Sequence, residues 1–213
     1  MSIMKAAESE QCLMKVLVTG FEPMQNESVN ASLEAVRRLP DRLAGAEIIR
    51  LPIPVSASRS LKMIEEMIRT ADPEIILSVG QGGRKPEIRV EQIGFNRDDF
   101  RIPDCEGCQP RGALIVPDGP ASIRSSLPAE AMVRAIQAAG IPACLSESAG
   151  AFLCNHVLYA AALLCRREAA GRRSGFVHVP LPGSGMTTDE MAIGLSAALQ
   201  AAIESVSCAQ PRP

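Results

Sequence analysis

A chain of 213 residues that is 46% hydrophobic and 22% charged is long enough for one compact domain with a sizeable core. Its formal charge of −2, single Tyr and lack of Trp leave no broad basic surface and little to stack on bases, so no nucleic-acid partner is expected. No run of ~18 uninterrupted apolar residues is present, which argues against a membrane span, and the first residues carry acids where a signal peptide needs its apolar core. Seven cysteines, an odd number without regular spacing, do not make a disulfide framework, so the cytoplasm is the expected compartment.

Met14-Lys-Val-Leu-Val-Thr-Gly20 has the look of a domain start. Residues 1–13 are therefore read as an extension and 14–213 as a single domain. Strands are expected at Lys15–Thr19, Glu47–Leu51, Glu74–Val79, Glu87–Gly94, Ala113–Val116, Ala143–Ser146 and Gly175–Val179, where short β-branched runs occur. Helices fit 30–39, 57–70, 128–139, 154–168 and 187–206. The second places Leu61, Ile64 and Ile68 on one face. The last opens on a capping box, Thr187-Thr-Asp-Glu190, and should bury Met191, Leu195, Ala198, Leu199, Ala202 and Val206. This alternation predicts an α/β fold, a three-layer α/β/α sandwich around a mixed, mainly parallel sheet. Functional groups in such sheets collect beyond the carboxyl ends of strands. The proline-bearing stretch 101–128 reads as a long excursion of the kind that is often functional.

Cys154 marks a change of character. Before it lies a small-residue turn, Ala149-Gly-Ala151; after it, Val157, Leu158, Ala161, Ala162, Leu164 and Cys165 follow a helical period. A thiol in the first turn of a helix meets the positive end of the dipole, which favours a thiolate, and free amides there can receive an oxyanion. A cysteine hydrolase also needs an imidazole, and the chain has only two histidines. His156 sits two residues from Cys154, about 200° away around the helix, so the side chains diverge. His178, in Ser174-Gly-Phe-Val-His-Val-Pro180, ends an apolar strand-like run and is the better base. Against this pairing stand the ordinary readings of a buried helix cysteine and a satisfied core histidine.

Other motifs are weaker. Gly80-Gln-Gly-Gly-Arg84 follows a buried strand but lacks a Lys-Ser/Thr pair and a following helix, so a tight turn near the site is the better reading. Cys105-Glu-Gly-Cys108 has the spacing of a metal or redox pair, but no second pair accompanies it and it lies between Pro103 and Pro110 rather than at a helix start. Cys12, Cys144, Cys165 and Cys208 are expected to be buried, as free cysteines commonly are.

Ser148-Ala-Gly-Ala-Phe-Leu-Cys-Asn155 resembles the active-cysteine signature of pyroglutamyl peptidase type I, the pyrrolidone-carboxylate peptidases. So do Val18-Thr-Gly-Phe-Glu-Pro23 with Glu27-Ser-Val-Asn30, Gly80-Gln-Gly-Gly-Arg84 through Val90-Glu-Gln-Ile-Gly-Phe-Asn96, Arg101-Ile-Pro-Asp104 with Gly107 and Gln109-Pro110, and Phe176-Val-His-Val-Pro180. The resemblance implies a cysteine exopeptidase acting without metal or cofactor on peptides that begin with pyroglutamate, and a homotetramer. It implies Cys154 as nucleophile, His178 as base and Glu91 as third member, a role composition alone does not assign. It places Phe21, Ile102, Phe152 and Leu153 along the substrate pocket, with Asn30, Gln81 and Arg101 as polar positions around it.

The chain departs from the family's usual pattern at several points. Met24-Gln-Asn26 stands where Phe-Gly-Gly is usual, and Cys105 and Cys108 stand for polar amides. Ile88-Arg89-Val90 lacks a hydroxyl residue, and Leu181-Pro-Gly-Ser-Gly185 differs from an acidic-amide ending. Two further readings stay open: a diverged pyroglutamate-binding protein without turnover, and a hydrolase of a related blocked N-terminus.

Overall fold

The computed structural model describes residues 13–24, 27–167 and 171–209. The N-terminal extension lies outside these residues apart from Leu13, as do Cys12, Gln25, Asn26 and the last residue of the predicted fourth helix.

Nine strands and five helices alternate among the described residues: β1 (Lys15–Phe21), α1 (Ala31–Arg37), β2 (Arg42–Leu43), β3 (Ala46–Ile53), α2 (Ala57–Ala71), β4 (Ile75–Gln81), β5 (Ile88–Glu91), β6 (Ile93–Phe95), β7 (Ser122–Arg124), α3 (Ala129–Ala138), β8 (Ala143–Ser146), α4 (Leu153–Arg167), β9 (Arg173–Val179) and α5 (Thr188–Ala209). Seven strands form the main sheet in the order β2-β3-β1-β4-β9-β5-β8. Pairing is parallel except at β2–β3 and at β5–β9. The expected three-layer α/β/α arrangement with a mixed, mainly parallel sheet is the one observed.

Alternation along the strands builds two cores. Val16 and Val18 of β1, Ile75, Leu77 and Val79 of β4, Ile88 and Val90 of β5, and Val177 and Val179 of β9 pack with α1, α3 and α5. Leu17, Ile76 and Phe176 face the other way, against Ile64 and Ile68 of α2 and Leu153, Val157 and Leu158 of α4. A strand buried on both faces reads as a nearly unbroken apolar run, which is why β1 and β4 stand out in the sequence. The capping box of α5 forms: Thr187 N and Oγ1 donate to Glu190 Oε2 at 2.7 and 2.8 Å, and Glu190 N donates back to Thr187 Oγ1. All six residues expected to be buried on α5 are buried. By length and composition Thr188–Cys208 also passes for a membrane-spanning helix, although half of its most apolar window is buried within the fold.

Four expectations need correction. The predicted strand Ala113–Val116 is a loop that makes one isolated bridge, Ala113 to Asp98. The Asn96 side chain substitutes for a partner strand there, accepting from Val116 N at 2.9 Å and donating to Val116 O at 2.7 Å. The predicted strand Glu87–Gly94 divides at Gln92, whose N–H donates to Ser146 O and whose C=O accepts from Ser125 N. Beyond it β6 leaves the main sheet to pair with β7, a strand unmarked in the sequence. On α2 the third buried position is Ser60 rather than Leu61, which is half-buried. Of the cysteines expected to be buried, Cys165 is, Cys144 is half-buried and Cys208 is exposed.

Candidate active site

The candidate side chains Cys154, His178 and Glu91 meet on the α2/α4 side of the sheet, toward the carboxyl end of β9. Cys154 is the second residue of α4, in its first turn. His178 is the penultimate residue of β9, and Glu91 is the last residue of β5. Because β5 runs antiparallel to β9, with Arg89 opposite His178 and Glu91 opposite Phe176, the carboxylate lies diagonally below the imidazole. His178 Nδ1 and Glu91 Oε1 are 2.8 Å apart. That leaves Nε2 for Cys154, with which the ring also hydrogen-bonds.

The pair is dry: Glu91 is 0% exposed and His178 4%. Burial pushes the imidazole pKa down, as it does for any buried cation. The Cys154 charge and hydrogen bond, aided by the hydrogen bond and charge of Glu91, more than offset this and lift it to about 9. Among the described residues Glu91 Oε2 has no hydrogen-bond partner, so the imidazole carries most of the burden of compensating the buried carboxylate. The Phe176 ring lies 5.0 Å from that of His178 and closes the site from beneath. A Cβ on Gly80 would come within 2.8 Å of Phe176 Cζ and 2.9 Å of Cys154 Sγ, so only glycine lets β4 pass this close to the sulfur.

His156 points away from this centre, as the helical geometry requires. Its Nδ1 lies 2.7 Å from Asp98 Oδ2, and both residues are buried. Beside it Asn155 accepts from Phe95 N and donates to the carbonyls of Phe95 and Arg97, all at 2.8–2.9 Å. The first turn of α4 thus grips the start of the long excursion.

A cavity of about 290 Å³ opens at Cys154. Phe21, Asn30, Gln81, Arg101, Ile102, Phe152 and Leu153 line it, as do Met24, Glu27, Val55 and Leu181. Its polar residues are largely committed to one another. Asn30 caps α1 by accepting from Ser32 N at 3.0 Å. The Gln81 amide accepts from Ala31 N at 2.8 Å and donates to Glu27 Oε1 at 3.1 Å. The outer wall is held by the edge-on packing of Phe100 against Phe152, with centroids 4.7 Å apart, and by Gln109, which donates to the carbonyls of Phe100 and Arg101. Glu27 sits inside a motif singled out above, but no role was assigned to it. Leu181 opens a segment noted above only as a departure from the family pattern, and Val55, a single apolar residue in a connecting segment, has no sequence signal.

Cys105 and Cys108 lie on a turn organised by Asp104, whose Oδ1 accepts from the N–H groups of Glu106 and Cys108. Burial, together with the Asp104 and Glu106 charges, raises the Cys105 pKa, which disfavours the thiolate needed for metal or redox chemistry. Among the described residues no group of three or more His, Cys, Asp or Glu side chains is placed to hold a metal.

The family model for pyroglutamyl peptidase matches residues 14–211. The chain belongs to the pyroglutamyl peptidase family. It is similar to the pyrrolidone-carboxylate peptidase of Treponema denticola, 42% identical over 207 residues that cover 91% of this chain and 95% of the relative. It is 40% identical to that of Finegoldia magna over 201 residues, covering 90% and 94%. Among solved structures, pyroglutamyl peptidase I of Bacillus amyloliquefaciens superposes with a TM-score of 0.85 at 36% identity, covering 90% of this chain and 97% of that one. The pyrrolidone carboxyl peptidase of Thermococcus litoralis gives 0.87 at 28% identity, covering 94% and 100%.

Proposed function

We propose that this protein is a cysteine exopeptidase that hydrolyses the amide bond after an N-terminal pyroglutamyl residue, with Cys154 as nucleophile, His178 as proton carrier and Glu91 as its orienting carboxylate. The observation that carries the reading is the buried Glu91–His178 pair, 2.8 Å apart, with its free ring edge on a cysteine at the mouth of a largely apolar cavity.

The chemistry follows from the geometry. The Cys154 thiolate attacks the amide carbonyl carbon, and the developing oxyanion turns toward the first-turn amides of α4, which have no intrahelical acceptors. As the C–N bond breaks, Nε2–H of the imidazolium gives its proton to the leaving amine. The resulting thioester is attacked by a water molecule that His178 deprotonates, releasing pyroglutamate and restoring the thiolate–imidazolium pair. Glu91 keeps the second ring proton on Nδ1 throughout and stabilises the charged ring. The cavity suits a small uncharged lactam: Phe21, Met24, Ile102 and Phe152 supply apolar walls, and the strand-end backbone near Gln81 supplies polar partners.

The proposal extends to residues 14–213 as the catalytic domain, with 1–13 dispensable, and to a cytoplasmic homotetramer that a sizing measurement would check. It assigns no cofactor. The decisive experiment is release of a fluorophore from pyroglutamyl, prolyl and glutamyl amides. Cleavage of the first alone, lost by ~10³-fold or more in Cys154→Ala, is expected. Folded wild-type protein that binds pyroglutamate without cleaving would overturn the proposal in favour of a binding protein.

A further inference from the structure

Arg89 shares the catalytic face of β5. Its neighbours Ile88 and Val90 point into the opposite core, whereas Arg89 and Glu91 point toward His178 and α4. In the register it stands directly opposite His178. Its guanidinium lies over the Gly82–Gly83 backbone: a Cβ built on Gly82 would be 3.1 Å from Arg89 Nη2 and 3.4 Å from His178 Nε2. The Gly82 backbone therefore packs against both the guanidinium and the His178 ring, which brings the two side chains to the same loop. That loop is fixed, with Gly82 N donating to Val179 O at 2.9 Å and Leu181 N to Gly83 O at 3.0 Å.

Arg89 acts on the Cys144 thiol, across the sheet from it, through its charge. The side chain is half-buried, and among the described residues no hydrogen bond or ion pair engages its guanidinium. Of the two carboxylates on its own strand side, Glu91 is held by His178, while Glu87 and Arg89 both act on the Cys144 thiol. Arg84 and Lys85, both exposed, follow directly after Gly83 and add to the positive rim. A guanidinium held in this way is a fork for a carboxylate. Neither Arg89 nor the two glycines line the cavity assigned to the pyroglutamyl ring, so they are not part of the pocket for that ring. Nε2 must face the leaving nitrogen to protonate it, which carries the departing peptide past that nitrogen and along Arg89.

We propose that Arg89, with the Gly82–Gly83 backbone, forms a carboxylate-reading subsite for the first residue beyond the scissile amide, giving a preference for an anionic leaving side. This rests on the hydrolase reading above. The carboxylate comes either from the free C-terminus of a pyroglutamyl dipeptide or from an acidic side chain in the first leaving residue.

The test compares kcat/KM within two matched pairs: pyroglutamyl-alanine against its amide, and pyroglutamyl-glutamic diamide precursors in acid against amide form, that is pyroglutamyl-glutamate amide against pyroglutamyl-glutamine amide. Wild-type protein should favour the anionic member of at least one pair by roughly fivefold, the pair affected identifying the source of the carboxylate. In Arg89→Gln that ratio should fall to about one, and Arg89→Lys should retain part of it. Because each ratio is taken within one variant, a general loss of folding or catalysis cancels. Ratios near one in wild type, or equal in wild type and Arg89→Gln, would overturn the subsite alone. Failure of wild-type protein to cleave the neutral fluorogenic amide would overturn the hydrolase reading and the subsite together.

Discussion

A histidine buried as deeply as His178 would ordinarily stay neutral, yet its pKa is raised to about 9 because two acids flank the ring. The sign has a kinetic and a thermodynamic side. In the proposed mechanism the imidazolium that protonates the leaving amine is lost above about 9, so the alkaline limb of kcat/KM for a neutral substrate should fall there. Glu91→Gln removes the carboxylate charge and weakens the hydrogen bond to Nδ1, both of which raise the imidazole pKa. It should move that limb to lower pH and reduce kcat by ~10²–10⁴-fold, measured by a pH–rate series on both proteins. For stability, a pKa above the ordinary 6.5 means the pair's contribution is fully present below 6.5 and lost as pH rises through about 9. Chemical denaturation at pH 6 and pH 10 should show this loss in wild type and less of it in Glu91→Gln. Cys105 and Cys108 stand apart from this chemistry. Their double replacement by Ser should leave turnover within about twofold, since neither thiol touches the reacting atoms.

At the level of elements, α4 joins chemistry to binding. Its first turn presents Cys154 to His178, while Asn155 and His156 grip residues 95–98 at the root of the loop that carries Arg101 and Ile102. Asn155→Ala removes three hydrogen bonds from a fully buried side chain and strands backbone groups of the excursion. A loss of ~2–4 kcal/mol in thermal or denaturant unfolding is expected, with KM raised more than kcat is lowered. The helices were legible because their signals are local: a capping box and a 3.6-residue apolar period. The excursion was not. Ala113–Val116 has the composition of a strand, but Asn96 saturates Val116 from a side chain, and nothing in the local sequence reveals that competition. Likewise Ile93–Phe95 reads as a continuation of β5, and only the pull of Ser146 and Ser125 on Gln92 turns it away.

For the whole molecule, the order of strands decides how much of the site a sequence can disclose. Cys154 and His178 were accessible from helix periodicity and from the scarcity of imidazoles. Glu91 was not accessible in that way, because its partner is 87 residues away and choosing it among the acids requires knowing that β5 lies beside β9 in the reverse direction. Family motifs supplied what pattern alone withheld, and the fold gives the physical reason for it. Arg89 went unread for the same cause. In a strand list it is a charge on a short edge-like segment, and it becomes notable only once it stands opposite His178.

The reversed direction of β5 also divides the site's electrostatics by depth. A parallel strand would end at the rim and leave its terminal carboxylate in water. Running the other way, β5 carries Glu91 downward under Phe176 and leaves Arg89 nearer the loop above. Mobile ions reach the upper charge and not the lower one. Added salt should therefore erase discrimination among leaving peptides while hardly altering turnover of an uncharged substrate. In this protein the polarity of one four-residue strand separates an insulated carboxylate from a guanidinium nearer the loop above.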